Sequence, residues 1–374
     1  MPQLTKLSIN ELTLGLFVVA ITEQSGQVVI DQPGWIKSNL DIEHLKQKGV
    51  LELCIDLERT LPLKQKKAST NTFDGILFAE ELPLAKTALA SLLAEMEQIF
   101  EQARVNQVID VVSLQNTLES SMSSLFRNSS ALLCLSYCQH YNQPAIGQAI
   151  RSSLYFGVCL QYLDWSRQVI SHWVLGALLH NIGATQFTSD ATTISDEMAQ
   201  QAGIELLKRS GGFDEEVLEV MRLQGERIDG TGFPTGESVS ELNPAMRLFS
   251  IIREYEQLTQ PSAYQKDLAV ITSEQAFRKL MSQDQQFDFA LLQLLIKVVG
   301  LYPAGALVEL NNGRVGIVLE HKQSSLQPKL KLIYDSKAKR HIANRVIDLT
   351  QHSSLKVVGY FDAKKLHRPI TDFL

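Results

Sequence analysis

The hydrophobic pattern changes its period twice along the 374-residue chain, and this constrains the fold more than any other feature of the sequence. Residues 1–62 carry short apolar runs separated by Gly, Pro and polar turns, which is typical of strands. Residues 80–300 carry apolar side chains at helical spacing. The strand pattern returns in residues 301–374, where Asn-Asn-Gly at 311–313 predicts a hairpin turn. We therefore predict a mainly α fold, in which a helical bundle lies between two small β-rich units and residues 63–79 form a linker.

Composition excludes several classes of protein. Apolar residues make up 45% of the chain and charged residues 20%, so a disordered or fibrous chain is excluded. No run approaches the roughly 18 apolar residues of a membrane span, and the opening stretch with Lys6 and Glu11 fits poorly with a signal peptide. A net charge of −6 disfavours broad attraction to nucleic acid or anionic lipid. We expect a cytoplasmic globular protein.

The first long helix is predicted over residues 80–104, and it carries one apolar stripe. Core packing is the first interpretation of such a stripe. A seam between the two copies of a homodimer is the alternative. The stripe consists of Leu89, Leu92, Met96, Ile99 and Ala103.

Two short stretches in the helical region hold most of the chemical information. "GALLHNIG" at 176–183 places a His at the end of an apolar helix, with Gly183 suited to the cap that follows. "QGERIDGTGFP" at 224–234 is a turn in which Gly permits tight backbone geometry and Pro fixes φ. Taken alone, these residues indicate a helix-end histidine and a surface turn.

Together, the two stretches resemble the signature of the HD-GYP family, whose active members hydrolyse cyclic di-GMP at a centre of two or three iron or manganese ions. "HNIGA" at 180–184 stands where the family has "HDIGK", and the second stretch stands where it has "HHE..DGSGYP". The first 60 residues are similar to a small domain of unknown function that often precedes such domains. Residues 301–319 are similar to the β tail that often follows them. The resemblance covers most of the chain and implies an HD-type helical bundle.

Most of the family's metal ligands are replaced in this chain. Divalent cations of this kind bind through His nitrogen and carboxylate oxygen. Asn181 replaces the Asp of the HD pair, and Gln224 and Gly225 replace the paired His residues. Two further family His positions fall on Gln148 and on 199–201, which contain no His, and the Lys after the HD pair is replaced by Ala184. The resemblance therefore implies no catalytic residues and no resident metal, with a remnant of the site at His180, Asn181, Glu226, Asp229 and Glu254.

Two other sets of residues are candidates for binding. A cluster of basic residues is a candidate phosphate-binding lining of the former active-site groove. It consists of Arg222, Arg227, Arg247, Arg253 and Lys266. The retained loop is a candidate docking site, with the Phe233 ring as a half-exposed anchor; the alternative is that this ring fills the helical core. The loop residues are Asp229, Gly230, Gly232, Phe233 and Pro234.

The substitutions favour a protein that does not hydrolyse cyclic di-GMP and works as a binding or scaffolding component of second-messenger signalling. Two alternatives stay open. One is a phosphodiesterase with residual activity that uses the remnant residues as a reduced ligand set, and the other is a sensor that binds cyclic di-GMP without hydrolysing it. The resemblance implies a signalling protein as partner, such as a diguanylate cyclase domain. We expect no nucleic acid and no membrane as partner.

Overall fold

The computed structural model describes most of the chain. The described residues are 4–9, 12, 16–26, 34–36, 39–56, 76–105, 107–187, 195–236, 242–260, 269–283, 285–321 and 326–374. Contacts divide the chain into two compact units. One comprises residues 1–71 with 162–165, and the other comprises 72–161 with 166–374.

The first unit contains a small antiparallel sheet with strand order β1-β4-β2-β3. A short helix precedes β4, and Gly49 follows it with φ +79°, a value that favours glycine. Val18, Leu53 and Ile55 lie in its apolar core. The elements are β1 (Leu4–Ser8), β2 (Phe17–Gln24), β3 (Gly34–Trp35), α1 (Asn39–Gln47) and β4 (Val50–Asp56).

The second unit begins with a long helical region. Several of its helices start at the side-chain caps expected of Asp, Ser, Asn and Thr, which satisfy free backbone N–H groups. The helices are α2 (Phe78–Arg104), α3 (Val111–Cys138), α4 (Pro144–Tyr162), α5 (Arg167–Leu179), α6 (Asp196–Ser210), α7 (Glu215–Leu223), α8 (Pro244–Thr259), α9 (Ser273–Met281) and α10 (Phe289–Val299).

The apolar stripe of α2 lies inside this unit. All five of its residues are buried in the single chain, and α2 packs along α3. A buried stripe has no free surface to offer a second copy. The structure therefore favours core packing over the homodimer seam for these residues.

The second unit ends in a five-stranded antiparallel sheet with strand order β8-β7-β6-β5-β9. The predicted turn at 311–313 joins β5 to β6, and Gly313 there has φ +84°. The prediction of a mainly α fold with small β-rich ends is confirmed. No helix in the described ranges is long and apolar enough to cross a membrane. The strands are β5 (Leu307–Leu310), β6 (Arg314–Glu320), β7 (Lys329–Asp335), β8 (Arg340–Asp348) and β9 (Val357–Tyr360).

Candidate functional site

The two motifs meet because α5 and α7 pack closely. A Cβ atom added to Gly176 on α5 would lie only 2.9 Å from Val220 Cβ on α7, so glycine permits this approach. His180 directly follows α5 as its C-cap residue, and Gln224 directly follows α7 in the same way. The carboxyl ends of both helices therefore carry the motif residues to one place.

Buried amide side chains occupy several of the family's ligand positions, and we name Gln148, Asn181 and Gln224 the amide cluster. All three are at most 3% exposed. The Asn181 Nδ2 group donates to Gln148 Oε1 and to the Ala145 carbonyl, at 3.4 Å each. The Gln224 Nε2 group donates to the His180 carbonyl at 3.0 Å. Neutral amides thus fill the site by bonding to one another and to the backbone.

Gln200 lies in the 199–201 segment, on which another of the family's His positions falls. Its side chain is buried and its Nε2 group donates to the Arg222 carbonyl near the end of α7. The Gln200 amide is therefore also committed to a hydrogen bond with a backbone carbonyl.

His180 is buried and neutral. Its Nδ1–H donates to the Ala177 carbonyl at 2.7 Å, and its ring packs edge-on against Phe249. Burial lowers the pKa of His180 to about 3, and the nearby Arg253 charge contributes to the lowering. The ring is therefore uncharged near neutral pH, as expected of a helix-end histidine held by its own backbone.

The retained loop is built around two carboxylates. Glu226 is buried, and its Oε1 accepts from both the N–H and the hydroxyl of Thr235, at 2.7 Å each. Asp229 is exposed, and its Oδ1 accepts from the N–H and hydroxyl of Thr231. Gly232 lies so close to the chain that a Cβ atom there would be 2.3 Å from Arg227 N. Both carboxylates fix the loop. Of the five remnant residues, Glu226 and Glu254 line one cleft, whereas His180, Asn181 and Asp229 are outside its lining.

The Phe233 ring lies on Gly225. A Cβ atom added to Gly225 would lie 2.4 Å from Phe233 Cζ, closer than real contacts allow. The backbone N–H of Phe233 also donates to the Gly225 carbonyl at 3.1 Å. The ring is half-buried and lines a cleft rather than filling the helical core. It takes the space into which any side chain at position 225, including the family's His, would project.

A cleft of about 270 Å³ borders the loop. It contains two of the predicted basic residues, Arg227 and Arg253, and also Glu254. Lys279 was missed, because a lysine on the exposed side of an amphipathic helix gives no motif signal. The lining residues are Asp196, Gln224, Gly225, Glu226, Arg227, Phe233, Ser250, Arg253, Glu254, Gln257, Leu258, Lys279 and Phe287.

The other predicted basic residues do not line the cleft. Arg247 is buried, pairs with Asp288 at 3.4 Å and donates to the Leu242 carbonyl. Arg222 pairs with Glu215 at 3.4 Å on the surface of α7. Each of these two arginines pairs with a carboxylate outside the cleft lining, and a role for them in phosphate binding stays a prediction. Lys266 lies outside the described residues.

The side chains at the former ligand positions do not fit a pair of divalent cations. Four neutral amide side chains in this region are already bonded to protein groups, and Gly225 offers no donor atom. Bridging two cations needs ionised carboxylate oxygen, which an amide does not supply. In the part of the chain that the structure describes, no three His, Cys, Asp or Glu side chains form a group able to hold a metal ion.

Comparison with known families assigns the three regions of the chain. Residues 138–291 match the HD domain family. This middle part of the chain is therefore similar to HD domains. Residues 4–114 match a domain of unknown function (DUF3391), and residues 307–368 match a KOW domain associated with the HD domain. The HD match spans both motifs and the cleft.

Two curated relatives act on cyclic di-GMP. The chain is 24% identical to the cyclic di-GMP phosphodiesterase PA4108 of Pseudomonas aeruginosa, over 96% of this chain and 93% of the relative. It is 22% identical to the cyclic di-GMP phosphodiesterase PdeB of Borreliella burgdorferi, over 49% of this chain and 48% of the relative. Among solved structures, it is similar to Bd1817, an HDGYP protein from Bdellovibrio bacteriovorus, with a TM-score of 0.46 and 15% identity over 79% of this chain and 99% of the other.

Proposed function

We propose that this protein is catalytically degenerate: it binds no stoichiometric metal, does not hydrolyse cyclic di-GMP, and acts as a binding or scaffolding component of bacterial cyclic di-GMP signalling. The similarity to PA4108 over nearly the whole chain supports the signalling context. The observation that carries the loss of catalysis is the amide cluster, in which three ligand positions are committed to internal hydrogen bonds.

The chemistry of phosphodiester hydrolysis explains why these substitutions matter. A metal-assisted hydrolase needs cations that lower the pKa of a bound water and offset charge on the phosphoryl oxygens. Asn181 and Gln224 are neutral, and neither is free to turn toward an ion without losing its present hydrogen bonds. Each lost bond would leave a buried polar group unsatisfied, at about 1–3 kcal/mol.

The contact between Gly225 and Phe233 supports the same proposal independently. Restoring a His at position 225 would force the Phe233 ring out of its place. Position 225 thus lacks the His side chain, and the Phe233 ring occupies the space that such a side chain would need. Recovery of a metal centre then requires coordinated changes at several positions rather than one.

The loop supports a binding role. Bonds from Glu226 and Asp229 hold it in one shape, and Phe233 presents a half-exposed ring on it. Aromatic side chains on rigid turns bind well because they bury a large area at low entropic cost. We propose that this loop contacts a signalling protein, and a diguanylate cyclase domain is the first partner to test.

One purified sample tests the proposal. Protein prepared without oxygen is divided between elemental analysis and a cyclic di-GMP turnover assay with added manganese or iron. We expect no stoichiometric transition metal and no turnover above a buffer blank. About two metals per chain, or turnover that is lost in a Glu226→Gln variant, would contradict the proposal, because hydrolysis would then depend on the remnant site.

A further inference from the structure

Most of the charged side chains that line the cleft belong to two ion pairs. Arg227 pairs with Glu254 at 3.6 Å. Arg253 pairs with Asp196 at 2.5 Å, and Gln257 also donates to this aspartate. Each arginine is therefore matched by one carboxylate. These four side chains contribute no net charge to a ligand in the cleft.

Two further charged groups of the lining have no ionic partner among the described residues. Glu226 is 1% exposed, and its Oε2 atom has no hydrogen-bond partner there. Lys279 lies on the exposed side of α9 and forms no ion pair with a described residue. The cleft thus offers one buried negative group and one accessible positive group.

One further donor belongs to a residue of the same lining. The Nε atom of Arg253 is buried and has no hydrogen-bond acceptor in the described ranges, although its NH2 group is bonded to Asp196. A buried polar atom without a partner costs about 1–3 kcal/mol unless something satisfies it. Glu226 needs a donor and Arg253 needs an acceptor, so a ligand that offers both satisfies both atoms.

We propose that the cleft binds a small zwitterion, with its ammonium group at Glu226 and its carboxylate or phosphate group at Lys279 and the Nε atom of Arg253. The inference rests on the proposed metal-free site, because a divalent cation would neutralise Glu226. A ligand with only negative charge would place that charge near a desolvated carboxylate. A ligand with only positive charge would be repelled by the ammonium group of Lys279. Like charges repel more strongly in a partly buried site than in water.

The apolar part of the lining defines the body of the ligand. Phe233, Leu258 and Phe287 contribute apolar surface to the cleft. Apolar walls with a few placed polar groups are typical of small-molecule sites. The ligand therefore carries a short apolar skeleton between or beside its two charges, as amino acids with aliphatic side chains do.

Matched probes test the need for both charges. L-Leucine and 6-aminohexanoate carry both charges at two different separations. L-Leucinamide keeps the ammonium group without the carboxylate, and 4-methylpentanoate keeps the carboxylate without the ammonium group. By isothermal titration calorimetry at low salt, we expect at least one zwitterion to bind with a Kd below about 1 mM, and both single-charge analogues of leucine to bind at least about tenfold more weakly than leucine itself.

Charge-removing variants then assign each end of the probe. Glu226→Gln and Lys279→Gln should each weaken zwitterion binding about tenfold. Glu226→Gln should also raise the relative affinity for 4-methylpentanoate, and Lys279→Gln that for L-leucinamide. Arg278→Gln is the matched control, because Arg278 lies on the same helix, is 77% exposed and is outside the lining. Circular dichroism checks that each variant is folded.

Three outcomes would overturn the inference. The first is that neither zwitterion binds below about 1 mM. The second is that the single-charge analogues bind as well as leucine. The third is that cyclic di-GMP binds more tightly than either zwitterion and loses affinity in Lys279→Gln, which would make the cleft a site for an anion. The metal analysis and turnover assay on the same preparation are separate readouts, so failure of the proposed function is recognised independently.

Discussion

Two buried polar clusters each contain one residue of α4, and these two residues lie one helical turn apart. One cluster is neutral and the other is an ion pair. Gln148 belongs to the amide cluster, which is neutral throughout. Arg151 belongs to a charged pair with Glu256 of α8, joined at 2.9 Å, with both side chains at most 5% exposed. Burial raises the pKa of Glu256, and the adjacent guanidinium opposes that shift. The Arg151 guanidinium also lies over the Tyr141 ring.

This difference in charge determines which substitutions each cluster tolerates. A buried ion pair depends on both partners, because either charge alone is left in a low-dielectric interior. Neutral amides need only hydrogen bonds, which backbone carbonyls supply at Asn181 and Gln224. The hydrogen bonds of the amide cluster are therefore satisfied by protein groups alone. The charge that this region of the protein still buries serves to join α4 to α8.

The largest expected effect is the loss of one partner from the charged pair. Arg151→Met or Glu256→Leu alone should lower the free energy of unfolding by about 3–5 kcal/mol. The double variant should recover most of this loss, because no lone charge remains. Urea unfolding of the four proteins measures the coupling. Additive losses in the double variant would show that packing, not charge, dominates at this position.

The next test introduces a charge into the amide cluster. Asn181→Asp places a carboxylate in a site that is 2% exposed, so we expect a loss of about 2–3 kcal/mol at neutral pH. We also expect no hydrolysis of cyclic di-GMP, because one carboxylate does not supply the remaining ligands. Asn344→Asp, on the exposed strand β8, is the control and should change stability little. Turnover in Asn181→Asp above the parent protein would mean that the remnant site is nearly complete.

Protonation of His180 introduces a charge without mutation. Its pKa is about 3 in the folded protein and 6.5 as the ordinary value, so between these pH values the unfolded chain binds more protons. Stability is therefore fully present above pH 6.5 and decreases as pH falls toward 3. From pH 7 to pH 5 we expect a loss of about 2 kcal/mol from this residue. His180→Gln should remove that part of the pH dependence, whereas parallel stability curves for the two proteins would contradict the assignment.

Much of this architecture follows from local sequence patterns. The change of hydrophobic period located the helical region, and Asn-Asn-Gly placed the hairpin before β6. Within the retained loop, Asp229 accepts a hydrogen bond from an N–H only two residues away. Local patterns succeed here because the contacts that matter lie within one turn of chain.

The features that the sequence did not predict depend on contacts between distant segments. Arg247 is held by Asp288, 41 residues away, a contact that its basic character alone does not predict. Lys279 lines the cleft because of how α9 packs, which no motif records. The Phe233 ring contacts Gly225 because the loop folds back on the end of α7. Each of these depends on tertiary packing that a single sequence does not display.

The smallest expected effect on stability concerns the Phe233 ring that covers Gly225 beside the amide cluster. Because the ring is half-buried, Phe233→Ala should lower the free energy of unfolding by about 1 kcal/mol, well below the 3–5 kcal/mol of a core phenylalanine. If the ring is the docking anchor, the same variant should weaken binding to a purified diguanylate cyclase domain about tenfold, measured by surface plasmon resonance. Phe213→Ala is the control, since Phe213 is also half-buried but lies just before α7, outside the loop. A loss of stability near the core value, or equal binding by both variants, would assign the ring to packing and remove the docking role from the loop.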